Sequence, residues 1–558
     1  MDEPQLSLES GLETLDFVAI IGYLLLTFGI AVWFGSRQKN TEDFFVGGRS
    51  MPWFAVGLSI LATLFSTLSY LGMPGEAIKN GFGVALGILA SPLSMAVVMF
   101  LWIPFFMRLR LTSAYEYLER RYNYAVRLIG AGLFILLRLG WMSMVIFAAS
   151  LALDRVKGPD LDWLPGPDLY WWIGLIGVVA AVYTAVGGIE AMIWTDVLQC
   201  LLLLIGIFLT IGYVMIVDGT GPMDWWRTAA LTEGRNNLPP LFSLDPTVRV
   251  TIVLAIVNNF FWTICTHGSD QVVLQRYFST SSLKAARKSY LVNFCVDLTM
   301  LTLLAVCGMA LLAFYLKHPA LTPDGANPVE AADKLFPYFL GNQLPAGFAG
   351  LIISAFLCDA IQTLESGANA ISAVAANDLV PRLRRGGKRV LSELTFARLL
   401  SLVIALLVTA NAYLVANRFH VMGETIVGLM PKFFNMFVGP LSSLFIIGMF
   451  FPRCTARSAI PAVICSFTLS VVWSWWVEVG YGVMAVANLL GVNLSSEWEA
   501  WFAKPPTFLL AIALPCVTSL SLAWLLSRVI ERGGDHPGLA YTWKAIVARP
   551  EISAQVKS

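Results

Sequence analysis

Charge is what this sequence holds least of. Asp, Glu, Lys and Arg make up 13% of its 558 residues and apolar side chains 57%, against roughly 25% and 45–50% in soluble globular chains. The main solvent of such a chain is lipid. Other scarcities exclude whole classes of chemistry. Histidine occurs four times, and His318, His420 and His536 stand alone in loops, so the catalytic or metal cluster of an integral membrane enzyme is not built. No Gly-rich phosphate loop occurs: GGK at 386–388 lacks the leading glycine and the Ser/Thr that would bind a metal, which argues against an ATP-driven pump. There is no CxxC pair. Seven of the eight cysteines (Cys200, Cys265, Cys295, Cys307, Cys358, Cys465, Cys516) lie in apolar segments and read as small buried hydrophobes. A net charge of +1 averages two unlike faces and points to no nucleic-acid partner.

Long apolar runs, by contrast, are abundant. A helix needs about 20 mainly apolar residues to cross the hydrocarbon core. Thirteen such stretches occur, near 14–35, 52–78, 84–107, 126–153, 169–186, 191–217, 248–269, 288–316, 345–377, 396–416, 424–450, 457–477 and 507–530. The first follows an acidic stretch, so it reads as a retained helix rather than a cleaved signal peptide. Loops alternate in charge as the bias of inserted helices toward cytoplasmic Lys and Arg requires. One side carries Arg37/Lys39/Arg49, Arg108/Arg110/Arg120/Arg121/Arg127, Arg276/Lys284/Arg287/Lys288, Arg382/Arg384/Arg385/Lys388/Arg389 and Arg453/Arg457. The other holds Asp2, Glu3, Glu9, Glu13 and Asp16 and mixed loops such as Asp154 to Asp168. The N-terminus is therefore expected outside and the C-terminus inside a plasma membrane, or the inner membrane of a bacterium. No soluble domain of consequence is expected, so the chemistry falls within the bundle; a membrane sensor would need a signalling domain that the short tail 531–558 does not supply.

Several charges fall inside apolar segments: Arg138, Asp196, Asp297, Asp359 and Lys432. Each is a functional group, half of a structural ion pair, or a residue near a helix end that snorkels, because an unpaired charge at membrane depth is costly. The ninth segment carries more. Asp359, Gln362, Thr363 and Ser366 recur at i, i+3, i+4 and i+7, on one helical face, with Glu365 and Asn369 on a second. Clustered oxygens of this kind suit a hard cation; interhelical hydrogen bonds that glue the bundle are the other reading. Two segments look interrupted. The second runs ILATLFSTLSYLGMPGEA, with Ser66, Thr67 and Ser69 ahead of Gly72, Pro74 and Gly75, and the seventh runs FFWTICTHGSDQ, ending in Gly268. Breaks at the midplane in corresponding positions of two halves mark transporter sites, and a spacing of five helices fits inverted repeats of helices 2–6 and 7–11. His267 beside the second break is either a satisfied core histidine or a solute contact or proton relay.

Longer stretches resemble the sodium:solute symporter family over most of the chain. DFFVGGRSMPWFAVGLSILATLFSTLSYLGMPG is similar to the family's first loop and broken helix, and LTSAYEYLERRYN to its T-x-x-E-x-L-E-x-R-F segment. AVYTAVGGIEAMIWTDVLQ, SDQVVLQRYFSTSSLKAARKS and NAISAVAANDL resemble three further signatures. The resemblance implies an all-α polytopic protein with a leucine-transporter-type core of ten helices in two inverted repeats, one extra helix before it and two after. In residues this gives 1–50 (N-terminus, first helix and first cytoplasmic loop), 51–217 (first repeat), 218–246 (extracellular loop), 247–450 (second repeat), 451–530 (last two helices) and 531–558 (tail).

It also implies a function: sodium-coupled symport of a small organic solute by alternating access, in the lipid bilayer, as a monomer or weak homo-oligomer. Sodium is the co-transported ion and no organic cofactor is involved. By the family pattern the backbone carbonyls of Ala62, Phe65 and Asp359 and the side chains of Gln362 and Thr363 hold sodium. Asp196 matches an aspartate near the cytoplasmic ion path. The family commonly places two hydroxyls in tandem on helix 9, where this chain has Gln362 before Thr363 and a carboxylate at Asp359; the carboxylate makes proton coupling the alternative. Candidate solute contacts are Ser66, Ser69, Ser91, Arg138, Thr263, His267 and Asp297. Gly87, Ile88 and Asp297 depart from the sugar-binding pattern of the galactose-transporting branch, which disfavours sugar. Arg138 matches a helix-4 position where a sialic-acid-transporting relative holds a carboxylate, so a carboxylate or zwitterion is favoured. A pairing of Arg138 with Asp297 or another acid is the competing view.

Overall fold

The computed structural model describes residues 13–109, 111–155, 168–232, 238–245, 248–376, 392–422, 431–490, 496–531 and 536–549. Asp2, Glu3 and Glu9, Arg110, most of the loop from Asp154 to Asp168, the basic cluster 382–389 with its GGK, the start of the eleventh segment and the end of the tail lie outside the described residues.

Every regular element described is helical, apart from an isolated bridge between Met51 and Thr280. The spans are α1 (Thr14–Gly35), α2 (Trp53–Leu64 and Thr67–Asn80), α3 (Ala85–Leu109), α4 (Tyr124–Arg155), α5 (Asp168–Val186), α6 (Gly188–Asp218), α7 (Ile252–Ser269), α8 (Leu283–Lys317), α9 (Phe348–Val374), α10 (Glu393–Met422), α11 (Lys432–Phe450), α12 (Ala456–Ser474) and α13 (Phe508–Val529). Among the described residues, twelve helices are long and apolar enough to cross a membrane singly, and the bent pair of α2 brings the number to 13. Short helices at Pro222–Leu231, Ala332–Asn342 and Trp476–Leu489 connect them.

Helix α9 is the most enclosed span, 83% buried where α1 is 17%. A polar helix tolerates lipid poorly, so its oxygens face protein on every side. Asp16 sets its position. Expected on the solvated acidic face, this residue is instead buried, and its Oδ1 accepts from the backbone N–H of Gly347 and Gly350, both at 2.7 Å. A carboxylate at a helix N-terminus satisfies orphan donors and the dipole together. The approach is close: a Cβ at Gly350 would stand 2.3 Å from the Asp16 carbonyl oxygen. Gly350→Ala is therefore expected to cost about 1–3 kcal/mol by overpacking, read as a lowered unfolding temperature in detergent. Gly22→Ala, with nothing within 4 Å, serves as the control; equal behaviour of the two would refute the close contact.

Helix α2 is broken, as expected, but not at its glycines and proline. The first half ends at Leu64, Phe65 (φ −101°, ψ 85°) and Ser66 (φ −79°, ψ 166°) leave helical geometry, and the halves meet at 59°. The break falls between Leu64 and Thr67, at the start of the hydroxyl-rich stretch. Pro74 lies inside the second half, and its carbonyl would stand 2.5 Å from a Cβ at Gly308 of α8, so these residues serve close packing.

Helix α7 differs further from expectation. It runs unbroken through Gly268 to Ser269, and the chain turns at Asp270 (φ −79°, ψ 117°) into a short helix, Gln271–Phe278. Asp270 caps that helix, its Oδ1 accepting from the Val272 N–H at 3.0 Å. The break is thus displaced toward the arginine-rich face, where Arg49 donates to the Phe278 carbonyl. Gly268 has a packing role: the Trp102 indole lies against it and donates to the Ile264 carbonyl at 2.9 Å.

Candidate functional site

At the end of α2's first half the Phe65 N–H goes to the Leu61 carbonyl at 2.8 Å, and the carbonyls of Ala62, Thr63 and Leu64 have no intrahelical donor among the described residues. Ala62, Phe65 and Ser66 are buried there, and the Ser66 Oγ has no partner among the described residues. On α9, Gln362 and Thr363 are both buried. Neither atom of the Gln362 amide is hydrogen-bonded among the described residues. Orphaned oxygens at a helix break are what a bare cation requires, and the donor set of carbonyl, amide and hydroxyl oxygen suits sodium.

The rest of the α9 stripe is engaged otherwise. Asp359 accepts from Gln199 Nε2 of α6 at 2.6 Å, so its side chain faces α6. Ser366 accepts from Arg276 Nη2 at 2.9 Å. Arg276 donates from the same nitrogen to Asp196 Oδ2 at 3.0 Å and from Nε to Ser59 Oγ at 2.6 Å, and Ser59 in turn donates to Asp196. The Arg276 and Asp196 side chains are each 2% exposed. Arg276, counted from sequence among the basic loop charges, is thus buried, and Asp196, expected on the ion path, is its counter-ion. Asn369 accepts from Gln275 at 2.8 Å, while both oxygens of buried Glu365 lack partners among the described residues.

Two adjoining cavities lie behind the α2 break, sharing Leu64 and Trp262 as lining. The larger, about 140 Å³, is bounded by Thr63, Ser69, Arg138, Trp141, Phe434 and Asn435. The smaller, about 30 Å³, is bounded by Ser91, Thr263, His267, Tyr290, Asn293 and Asp297 among others. The structure therefore divides the sequence-predicted solute residues. Ser69 and Arg138 fall in one chamber, Ser91, Thr263, His267 and Asp297 in the other, and Ser66 lines neither.

Arg138 pairs with Asp270, not with Asp297, and both side chains are almost fully buried. One guanidinium nitrogen, Nη2, makes that bond, and Nε has no acceptor among the described residues. Asp297 has neither an ion-pair nor a hydrogen-bond partner among them. His267 is a satisfied core residue on one side, with Nδ1 2.7 Å from the Tyr277 hydroxyl and its ring edge-on to Tyr290 at 5.0 Å. Lys432 pairs with Glu478 and lies 4.8 Å from the Trp475 ring, outside both cavities.

The sequence reading missed Asp270, Arg276, Gln199, Trp262, Asn293 and Asn435. An aspartate opening QVVLQRYF is an N-cap signal that would have placed the α7 break correctly; the others carry no local signal.

Comparison with known proteins identifies the family. The family model described as the sodium:solute symporter family matches residues 44–466. The sodium/sialic acid symporter NanT of Aliivibrio fischeri is 30% identical over 82% of this chain and 87% of its own length. The human sodium-coupled monocarboxylate transporter 1 is 31% identical over 83% and 73%. A solved Na+-coupled sialic acid symporter, substrate-bound and outward-open, has a TM-score of 0.74 at 25% identity, covering 93% of this chain and 98% of that one. The chain belongs to the sodium:solute symporter family.

Proposed function

We propose that this symporter moves a small carboxylate-bearing solute with sodium, binding the ion at the crossing of α2 and α9 and the carboxylate at Arg138. Membership of the family makes the chain a sodium-coupled symporter of a small solute, a multi-pass membrane protein and not an enzyme. The finer reading assigns sodium to the carbonyls of Ala62, Phe65 and Asp359 and the side chains of Gln362 and Thr363. Residues 51–217 and 247–450 act as the two repeats, with the N-terminus outside the plasma membrane, the C-terminus inside and the protein working as a monomer or weak homo-oligomer. Outside sodium binds first and favours solute capture; linkage makes the coupling reciprocal. The drive is the sodium gradient plus about 2.3 kcal/mol per charge per 100 mV.

One observation carries the carboxylate reading. Arg138 lines the larger cavity, holds Asp270 with one nitrogen and leaves Nε without an acceptor, so its planar fork retains donors for a second anion. The sialic acid and monocarboxylate transporters to which the chain is similar are named for acids. The test is uptake of labelled carboxylates, amino acids and sugars into proteoliposomes under an imposed sodium gradient. Arg138→Lys, which keeps the charge and loses the fork, is expected to lower kcat/KM for carboxylates about tenfold, equivalent to one charged hydrogen bond. Unchanged carboxylate uptake by this variant would refute the assignment.

A further inference from the structure

We propose that the smaller cavity seats a cationic group of the solute, so that the transported molecule is a zwitterion: its carboxylate at Arg138 in the larger chamber, its protonated amine at Asp297 in the smaller. This rests on the carboxylate reading above and adds the second end of the molecule.

The chemistry of the smaller chamber is one-sided. Asp297 of α8 faces it without a counter-ion or donor among the described residues. Asn293, one turn earlier on the same helix and 94% buried (6% exposed), has an Oδ1 that also finds no donor. The hydroxyls of Ser91 and Thr263 complete a wall of oxygens. The half-buried Asp297 carboxylate carries a charge that no described residue matches, and the buried Asn293 carbonyl without a donor costs free energy. An ammonium, with three N–H donors and one positive charge, answers both. The other walls are Trp262, Tyr290 and Phe294, and aromatic faces attract organic cations.

Size gives the same answer. A space of about 30 Å³ holds one or two groups the size of water. An ammonium fits, a sugar ring does not, and the body of the solute is left to the 140 Å³ chamber next door. Leu64 and Trp262 line both chambers, so the two adjoin at those side chains, and in the proposed arrangement one small molecule extends past them. Arg138 is already neutralised by Asp270 whereas Asp297 is not, so a solute with both charges leaves the site better balanced than a simple anion.

The experiment compares solutes that differ only in an amino group, alanine against propionate and 4-aminobutyrate against butyrate. Sodium-dependent binding to the purified protein is followed by tryptophan fluorescence, and competition for uptake is measured in proteoliposomes. In at least one pair the aminated member is expected to bind tenfold or more tighter. Asp297→Asn should bring that ratio close to one and Asp297→Glu should restore part of it, whereas Arg138→Lys should weaken both members of a pair alike. Equal or tighter binding of the des-amino acids by the native protein overturns the proposal and leaves the carboxylate reading standing, and needs no variant. A ratio that survives Asp297→Asn, or an Asp297→Asn effect confined to sodium affinity, also overturns it, the latter because the chamber would then be an ion site. Binding of none of the four overturns both readings.

Discussion

Asp196→Ala is expected to destabilise the folded protein by about 3–5 kcal/mol, the range for removing one partner of a buried ion pair and leaving the other uncompensated. The magnitude follows from what Arg276 would lose. Its guanidinium bonds Asp196, Ser59, Ser366 and the Val272 carbonyl, drawing α6, α2, α9 and the short helix after α7 to one point. With 2% exposure on each side chain, water does not readily replace the missing carboxylate. Ser59→Ala, which removes a neutral partner, should cost nearer 1 kcal/mol. Equilibrium denaturation in detergent measures both. An Asp196→Ala protein as stable as the native one would show that the pair contributes nothing to the fold, and Asp196 would revert to an ion-path residue.

Thr363→Ala is expected to raise the sodium concentration for half-maximal uptake by about 10- to 100-fold, the equivalent of one hydrogen-bond-strength contact to a charged group. Thr363 is buried on α9, the proposed sodium site places its hydroxyl against the end of α2's first half, and Gln362 beside it holds two amide atoms without partners among the described residues. Thr363→Ser should retain most of the affinity. Gln362→Ser, which restores tandem hydroxyls, should keep sodium dependence. Asp359→Asn should act differently, through the Gln199 contact between α6 and α9. Sodium titrations of uptake in proteoliposomes separate these cases. Native half-saturation in Thr363→Ala would remove this crossing from the list of ion sites.

The spans were legible because lipid imposes one rule on every segment: backbone polar groups must be satisfied within a helix. Composition and length therefore sufficed for α1 to α13. Polar residues inside those spans were legible as exceptions, which is how Arg138, Asp196, Asp297 and Asp359 stood out. Their partners were not. Arg276 lies in a run that reads as a basic loop, and only the reversal of the chain at Asp270 carries it into the bundle beside Asp196. Arg138 meets Asp270 across 132 residues, a pairing that no local pattern encodes. Asp16 looked like one of several surface acids because the glycines that receive it begin α9, far along the chain. The break in α2 was detected through its punctuating glycines and proline, although the hydroxyl run beside them contains it.

The junction of Asp16 with Gly347 and Gly350 gives the first helix a task beyond crossing the bilayer. Helix α1 lies at the lipid-facing rim, and its start is fastened to the start of the helix that bears Gln362 and Thr363. Two N–H···O bonds across more than 330 residues thereby tie the least enclosed span to the most enclosed one, so a tilt of α1 bears directly on the start of α9.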